Sequence, residues 1–86
     1  WGLVNRVVPT GQDLLEDVVN WLAPVADGAP IAQAAALGAI RASYDVPLDR
    51  GLELESVYYD ATLRSEDRLE ALAAFAEKRK PQFKGK

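Results

Sequence analysis

The sequence predicts an all-α chain, about four helices following one short extended segment. Three features lead there. A single β-branched run, Leu3-Val4-Asn5-Arg6-Val7-Val8, stands alone near the start. Beyond it, apolar residues recur at helical rather than alternating spacing in four stretches. Each stretch is bounded by a residue that starts or stops helices: Thr10, Pro24, Pro30, Pro47, Ser65 or Pro81.

The extended segment Leu3–Val8 ends at Pro9 and Gly11. Nothing else in the chain reads as a strand, so it would need a partner strand from elsewhere. In the first helix Thr10 is the expected N-cap, with Asp13 three residues on where a capping box would place Glu. Leu14, Leu15, Val18, Val19, Leu22 and Val25 then form the apolar stripe, opposite Glu16, Asp17 and Asn20. Pro24 should kink or end this helix near its last turn, because it lacks the amide the ladder needs.

Pro30 suits the first position of the second helix. Its Ala-rich run to Ile40 can approach neighbours closely but buries little area of its own. Pro47 opens the third helix. There Leu48, Leu52, Glu55, Tyr59 and Leu63 share one face, and Leu54, Val57, Tyr58 and Ala61 another. Apolar groups on both faces predict burial on two sides, as between subunits. Ser65 caps the fourth helix, Glu66 and Asp67 sit in its favourable first turn, and Leu69, Leu72, Ala73 and Ala76 are the expected buried stripe. Lys78, Arg79 and Lys80 close this helix and Pro81 stops it.

Eighty-six residues make at most one small domain, near the size at which a core contributes only about 3–5 kcal/mol. With no Cys, disulfides and zinc-thiolate sites are excluded. With no His, the commonest general base and transition-metal ligand are absent too. No apolar run is long enough to span a bilayer. The chain opens on Trp1 rather than Met, so its natural start is expected upstream. The net charge of −3 is divided unevenly. Residues 1–77 carry all thirteen acids and five Arg, a balance of −8, and residues 78–86 carry +5. Such asymmetry either meets an anion at the C-terminal end or complements a helix dipole.

No residue is assigned a catalytic role and none a metal. Glu53, Glu55, Glu66, Asp67 and Glu70 read as solvated or helix-start charges, and Tyr58 and Tyr59 as packing. Phe75 and Lys78 are the one pair with ligand-binding chemistry. At i, i+3 they should share a helix face, offering an apolar ring beside a compact positive charge that suits a nucleotide phosphate. A packing edge with a snorkelling lysine is the competing account, and spacing alone does not separate the two. Phe83 among the tail's charges is a nucleic-acid feature, but a body at −8 makes nucleic acid an unexpected partner.

Trp1-Gly-Leu-Val-Asn-Arg-Val-Val-Pro9 resembles the segment after the catalytic core of the enoyl-CoA hydratase/isomerase (crotonase) family. Gly28-Ala-Pro30 with the Ala-rich helix resembles that family's next landmark. Leu52-Glu-Leu-Glu55, Asp67-Arg-Leu-Glu70, Ala74-Phe-Ala-Glu-Lys-Arg-Lys-Pro81 and Phe83-Lys-Gly85 complete the pattern across all 86 residues. Asp67–Glu70 and the final Phe-Lys-Gly are similar to methylglutaconyl-CoA hydratases, some of which bind AU-rich RNA.

The resemblance implies that residues 1–9 end a crotonase core and that residues 10–86 are the helical C-terminal oligomerisation region, in a trimer or dimer of trimers. It implies hydration of a 2-enoyl-CoA, or a related isomerisation, at a backbone oxyanion hole and two glutamates lying upstream of Trp1. The fragment alone should then be inactive. Phe75 and Lys78 match positions that reach the adenine and 3′-phosphate of CoA in a neighbouring subunit. CoA here is part of the substrate, and no separate cofactor is implied. Leu54, Val57, Tyr58, Leu69 and Leu72 are the expected interface or core residues. The expected compartment is the cytoplasm of a bacterium, or the mitochondrion in a eukaryote. The alternative function is a free-standing helical interaction module without catalysis.

Overall fold

The chain is described by a computed structural model over residues 1–86. Its helices are α1 (Leu14–Ala26), α2 (Pro30–Ser43), α3 (Leu48–Leu63) and α4 (Glu66–Glu77), and no strand forms. The segment Leu3–Val8 runs unpaired with Leu3, Val4 and Val7 exposed. Its one polar tie is an ion pair, Arg6 to Asp17 on α1, at 2.8 Å.

Asp13, not Thr10, caps α1. The Gln12 amide donates to the Pro9 carbonyl and Gly11 sits at φ +92°, so Pro9–Gln12 is a β-turn of the kind that needs a left-handed third residue. Thr10 is inside that turn. Asp13 follows it in extended conformation and accepts the Glu16 amide at 3.0 Å. The helix also runs two residues beyond Pro24. Only the bond to the Asn20 carbonyl is forfeited there, one turn from the end, and the Asp27 amide still closes on the Ala23 carbonyl.

Pro30 stands at the first position of α2 and Ser65 caps α4, accepting the Arg68 amide at 3.1 Å. Pro47 is the residue before α3. α2 and α3 pack antiparallel, the only extensive helix–helix contact in the chain. Gly38 makes that approach possible: a Cβ there would meet the Tyr58 ring, 2.9 Å from Cδ1 and 3.0 Å from Cζ. The small-residue face of α2 thus accepts the large aromatic of α3.

The segment after α4 turns back along it and reaches the α1–α2 corner. Lys80 pairs with Asp27 at 2.6 Å, and Gly85 lies against the ring of Pro30. This return holds α4 to the rest of the chain, because the helices themselves do not.

The result is open and flat, 45 × 40 × 18 Å, with a radius of gyration of 16.6 Å. A compact chain of this length would have about 12 Å. Its accessible surface is 7410 Å², about 2,400 Å² more than a folded monomer of this mass exposes. Ala74, at 1% exposure, is the sole buried apolar residue. Val57, Leu69 and Leu72 are each more than half exposed, Tyr58 lies at the margin and Leu54 is half-buried.

The expected buried stripe of α4 is therefore open within this chain. By helical periodicity Asp67, Ala71 and Ala74 lie on the face opposite Leu69, Leu72 and Ala76. The returning tail covers the first face and leaves the second bare.

Candidate functional site

The C-terminal end of α4 is built by a chain reversal at Lys78. Lys78 adopts φ 55°, ψ 37°, the only left-handed non-glycine residue in the chain. The Lys78 amide donates to the Phe75 carbonyl at 3.2 Å and the Arg79 amide to the Ala74 carbonyl at 3.0 Å. This pair of bonds is a Schellman motif, with lysine at the position usually held by glycine. A residue with a Cβ pays about 1–2 kcal/mol to sit there. The helix therefore ends at Glu77, four residues before Pro81, which does not stop it. Lys78 has left the helix, so the shared-face argument for Phe75 and Lys78 gives way. The two are linked through the reversal instead, the Lys78 amide donating to the Phe75 carbonyl, with Phe75 86% exposed just before it.

Charge pairing separates the three consecutive bases at 78–80, while Lys84 and Lys86 further along the tail pair with no acid. Arg79 binds Glu70 with both guanidinium nitrogens, at 2.5 and 3.0 Å, and Glu77 through Nε at 2.6 Å. Lys80 is taken by Asp27. Lys78 forms no ion pair. Its acidic neighbour Glu77 is already drawn to Arg79. Of the three consecutive bases, Lys78 alone keeps an uncompensated charge for an external anion.

Beneath this end, two carboxylates one helical turn apart hold the tail. Asp67, 2% exposed, accepts the amides of Lys84 at 2.7 Å and Gly85 at 2.8 Å, while its own amide donates to the Lys86 carbonyl at 3.0 Å. Glu70 accepts the Gln82 amide at 2.8 Å beside the Arg79 fork. The Arg79 hydrogen bonds, then the Gln82 amide, lower the Glu70 pKa from 4.5 to about 2. Arg79 is correspondingly held protonated above its ordinary range, through Glu70 first and Glu77 second.

Asp67 keeps the helix-start place expected of it in the first turn of α4, but neither it nor Glu70 is a solvated charge: both are structural acceptors for the tail. The available signal was an acid pair at i, i+3 on the face opposite the leucines, followed by a basic, glycine-containing segment long enough to return. Glu66 stays exposed and Glu53 pairs with Arg50 at 2.5 Å.

Tyr58 and Tyr59 line a mainly apolar cleft of about 220 Å³ between α2 and α3, with Ala32, Ala35, Ala39 and the carboxylate of Glu55. No nucleophile–base pair forms there. Leu54, Val57 and Tyr58 are carried by α3, and Leu69 and Leu72 by α4.

The family model described as enoyl-CoA hydratase/isomerase matches residues 1–86, the whole chain. The chain belongs to the enoyl-CoA hydratase/isomerase family. It is 38% identical over 90 residues to a carnitinyl-CoA dehydratase of Proteus mirabilis, spanning 100% of this chain and 34% of that protein. It is 44% identical over 87 residues to an enoyl-CoA isomerase/hydratase of Mycosarcoma maydis, covering 99% and 31% respectively. The chain thus spans about a third of the length of these relatives.

Among solved structures it matches a Mycobacterium abscessus protein described as a probable enoyl-CoA hydratase/isomerase. There the TM-score is 0.88 at 31% identity, over 100% of this chain and 34% of that one. An enoyl-CoA hydratase from Bacillus anthracis gives a TM-score of 0.81 at 38% identity, over 85% and 28%. The open helical arrangement is therefore the family's own, found in its C-terminal part. No helix is long and apolar enough to cross a membrane.

Proposed function

We propose that these 86 residues are the helical C-terminal region of an enzyme acting on acyl-CoA thioesters, hydrating or isomerising a 2-enoyl-CoA. The region buries its open faces against the rest of that enzyme and its neighbouring subunits, and it lends one contact to CoA. The uncompensated Lys78 charge beside exposed Phe75 carries the second part of this reading. An ammonium suits the 3′-phosphate of CoA and the ring suits adenine. The family's relatives are themselves named for CoA esters.

Assembly rests on the surplus surface. About 2,400 Å² beyond a compact monomer equals roughly three standard half-interfaces. Val57, Leu69 and Leu72 lie on it. A trimer, or a dimer of trimers, would cover such faces from more than one side.

The reading is tested by steady-state kinetics of the parent enzyme and its Lys78→Ala variant on a short 2-enoyl-CoA. Losing one solvent-facing charged contact is worth about 1 kcal/mol or slightly more, so KM should rise roughly five- to tenfold, with kcat affected less. A loss confined to kcat would sink the CoA role. A parent protein that is monomeric and ignores acyl-CoA would favour the helical interaction module.

A further inference from the structure

We infer that Glu70 is a positioning residue for Lys78: by gripping Arg79 and the Gln82 amide, it fixes where the Lys78 ammonium is presented to the ligand. This deepens the proposed CoA contact and rests on it.

A lysine at φ 55° is unfavourable by itself and persists only where its neighbours over-determine it. Upstream, the Ala74 and Phe75 carbonyls hold it through the two Schellman bonds. Downstream, the next residue is locked onto Glu70, nine positions earlier in the chain, by a two-bonded guanidinium–carboxylate fork. Such a fork fixes direction as well as distance.

The remainder of the tail repeats the grip. The Gln82 amide adds to Glu70, and the Lys84 and Gly85 amides bind Asp67, itself nearly inaccessible to solvent. Lys78 is thus the free residue between a helix end and a clamped return. A side chain reaching for a phosphate from such a base starts from a narrow set of positions, and preorganisation of that kind reduces the ordering entropy of binding. The Arg79–Glu77 contact also removes the acid nearest Lys78 in sequence from competition for its ammonium.

Glu70 touches no substrate in this account and acts only through Lys78. The test is a double-variant cycle in the parent enzyme, comparing a 2-enoyl-CoA with its 3′-dephospho analogue. Lys78→Ala, Glu70→Gln and the pair are measured for KM and kcat on both esters.

Glu70→Gln should raise KM for the phosphorylated ester about three- to fivefold, leave KM for the dephospho ester unchanged, and change kcat less than KM. The double variant should be no worse than Lys78→Ala alone, because both changes remove one contact. A full Lys78→Ala effect with no Glu70→Gln effect, or effects that multiply, overturns the positioning role and leaves the CoA contact standing. A silent Lys78→Ala overturns the contact and the inference together. Should Glu70→Gln fail to assemble, Arg79→Lys is the second variant. It keeps the charge, gives up the fork, and should show the same ester-selective rise in KM. An equal rise on both esters would overturn the inference.

Discussion

Arg79 reaches back nine residues to bind both carboxylate oxygens of Glu70, and this pair turns the end of α4 into a closed loop of chain. The helix supplies Glu70, the left-handed turn at Lys78 reverses direction, and the fork holds the reversal shut. Both the tail's course and the placement of the free lysine depend on this pair.

The pair should make the tail acid-sensitive. Glu70 has its pKa lowered from 4.5 to about 2 by Arg79 and the Gln82 amide. A depressed carboxylate contributes stability that is fully present above the unfolded value and lost as pH falls through the folded one. The window is therefore pH 4.5 down to about 2. Across it the Gln82 amide, which donates to Glu70, should lose protection relative to its intrinsic exchange rate, and in Glu70→Gln it should already be less protected at neutral pH. A Gln82 amide equally protected at pH 2 and pH 7 would refute the grip.

Lys78→Gly separates structure from function by sign. Glycine removes the left-handed penalty and should stabilise the end of α4 by about 1 kcal/mol. It also removes the ammonium, so KM for a CoA ester should rise as in Lys78→Ala. Slower amide exchange at Arg79 together with weaker substrate binding is the expected outcome. Faster exchange would mean that lysine is favoured there for the turn itself.

Gly38 and Tyr58 offer a similar reversal inside the α2–α3 pair. A Cβ at Gly38 would lie within 3.0 Å of the Tyr58 ring, so Gly38→Ala should destabilise by about 1 kcal/mol despite the helix propensity it gains. With Tyr58→Ala already present, the same Gly38→Ala change should stabilise by up to about 1 kcal/mol. Denaturation midpoints of the four proteins give the coupling, and additive effects would show that the ring does not rest on Gly38.

What the sequence disclosed follows from how local each signal is. Ser65 and Pro30 were legible because a cap and a helix start depend on the next few residues only. Thr10 misled because Gly11 formed a turn first and passed the cap to Asp13. The roles of Asp67 and Glu70 were hidden, since they depend on amides up to 18 residues further along and on a reversal at a lysine. Glycine at position 78 would have announced that reversal; lysine concealed it and made the helix look as if it ran on to Pro81. Leu69 and Leu72 were recognisable as a stripe that needs covering. Periodicity does not name the covering surface, and within this chain none covers them. Phe75 and Lys78 were found through residue type and resemblance. The structure replaced the shared helix face with a helix end and showed why, of three bases in a row, Lys78 is the free one.

The most direct test of that claim is the KM of the parent enzyme for a 2-enoyl-CoA against its 3′-dephospho analogue, with and without Lys78→Ala. The wild type should favour the phosphorylated ester severalfold, and the variant should treat the two alike. An unchanged preference in the variant would show that the phosphate is held elsewhere and that Lys78 is not a CoA contact.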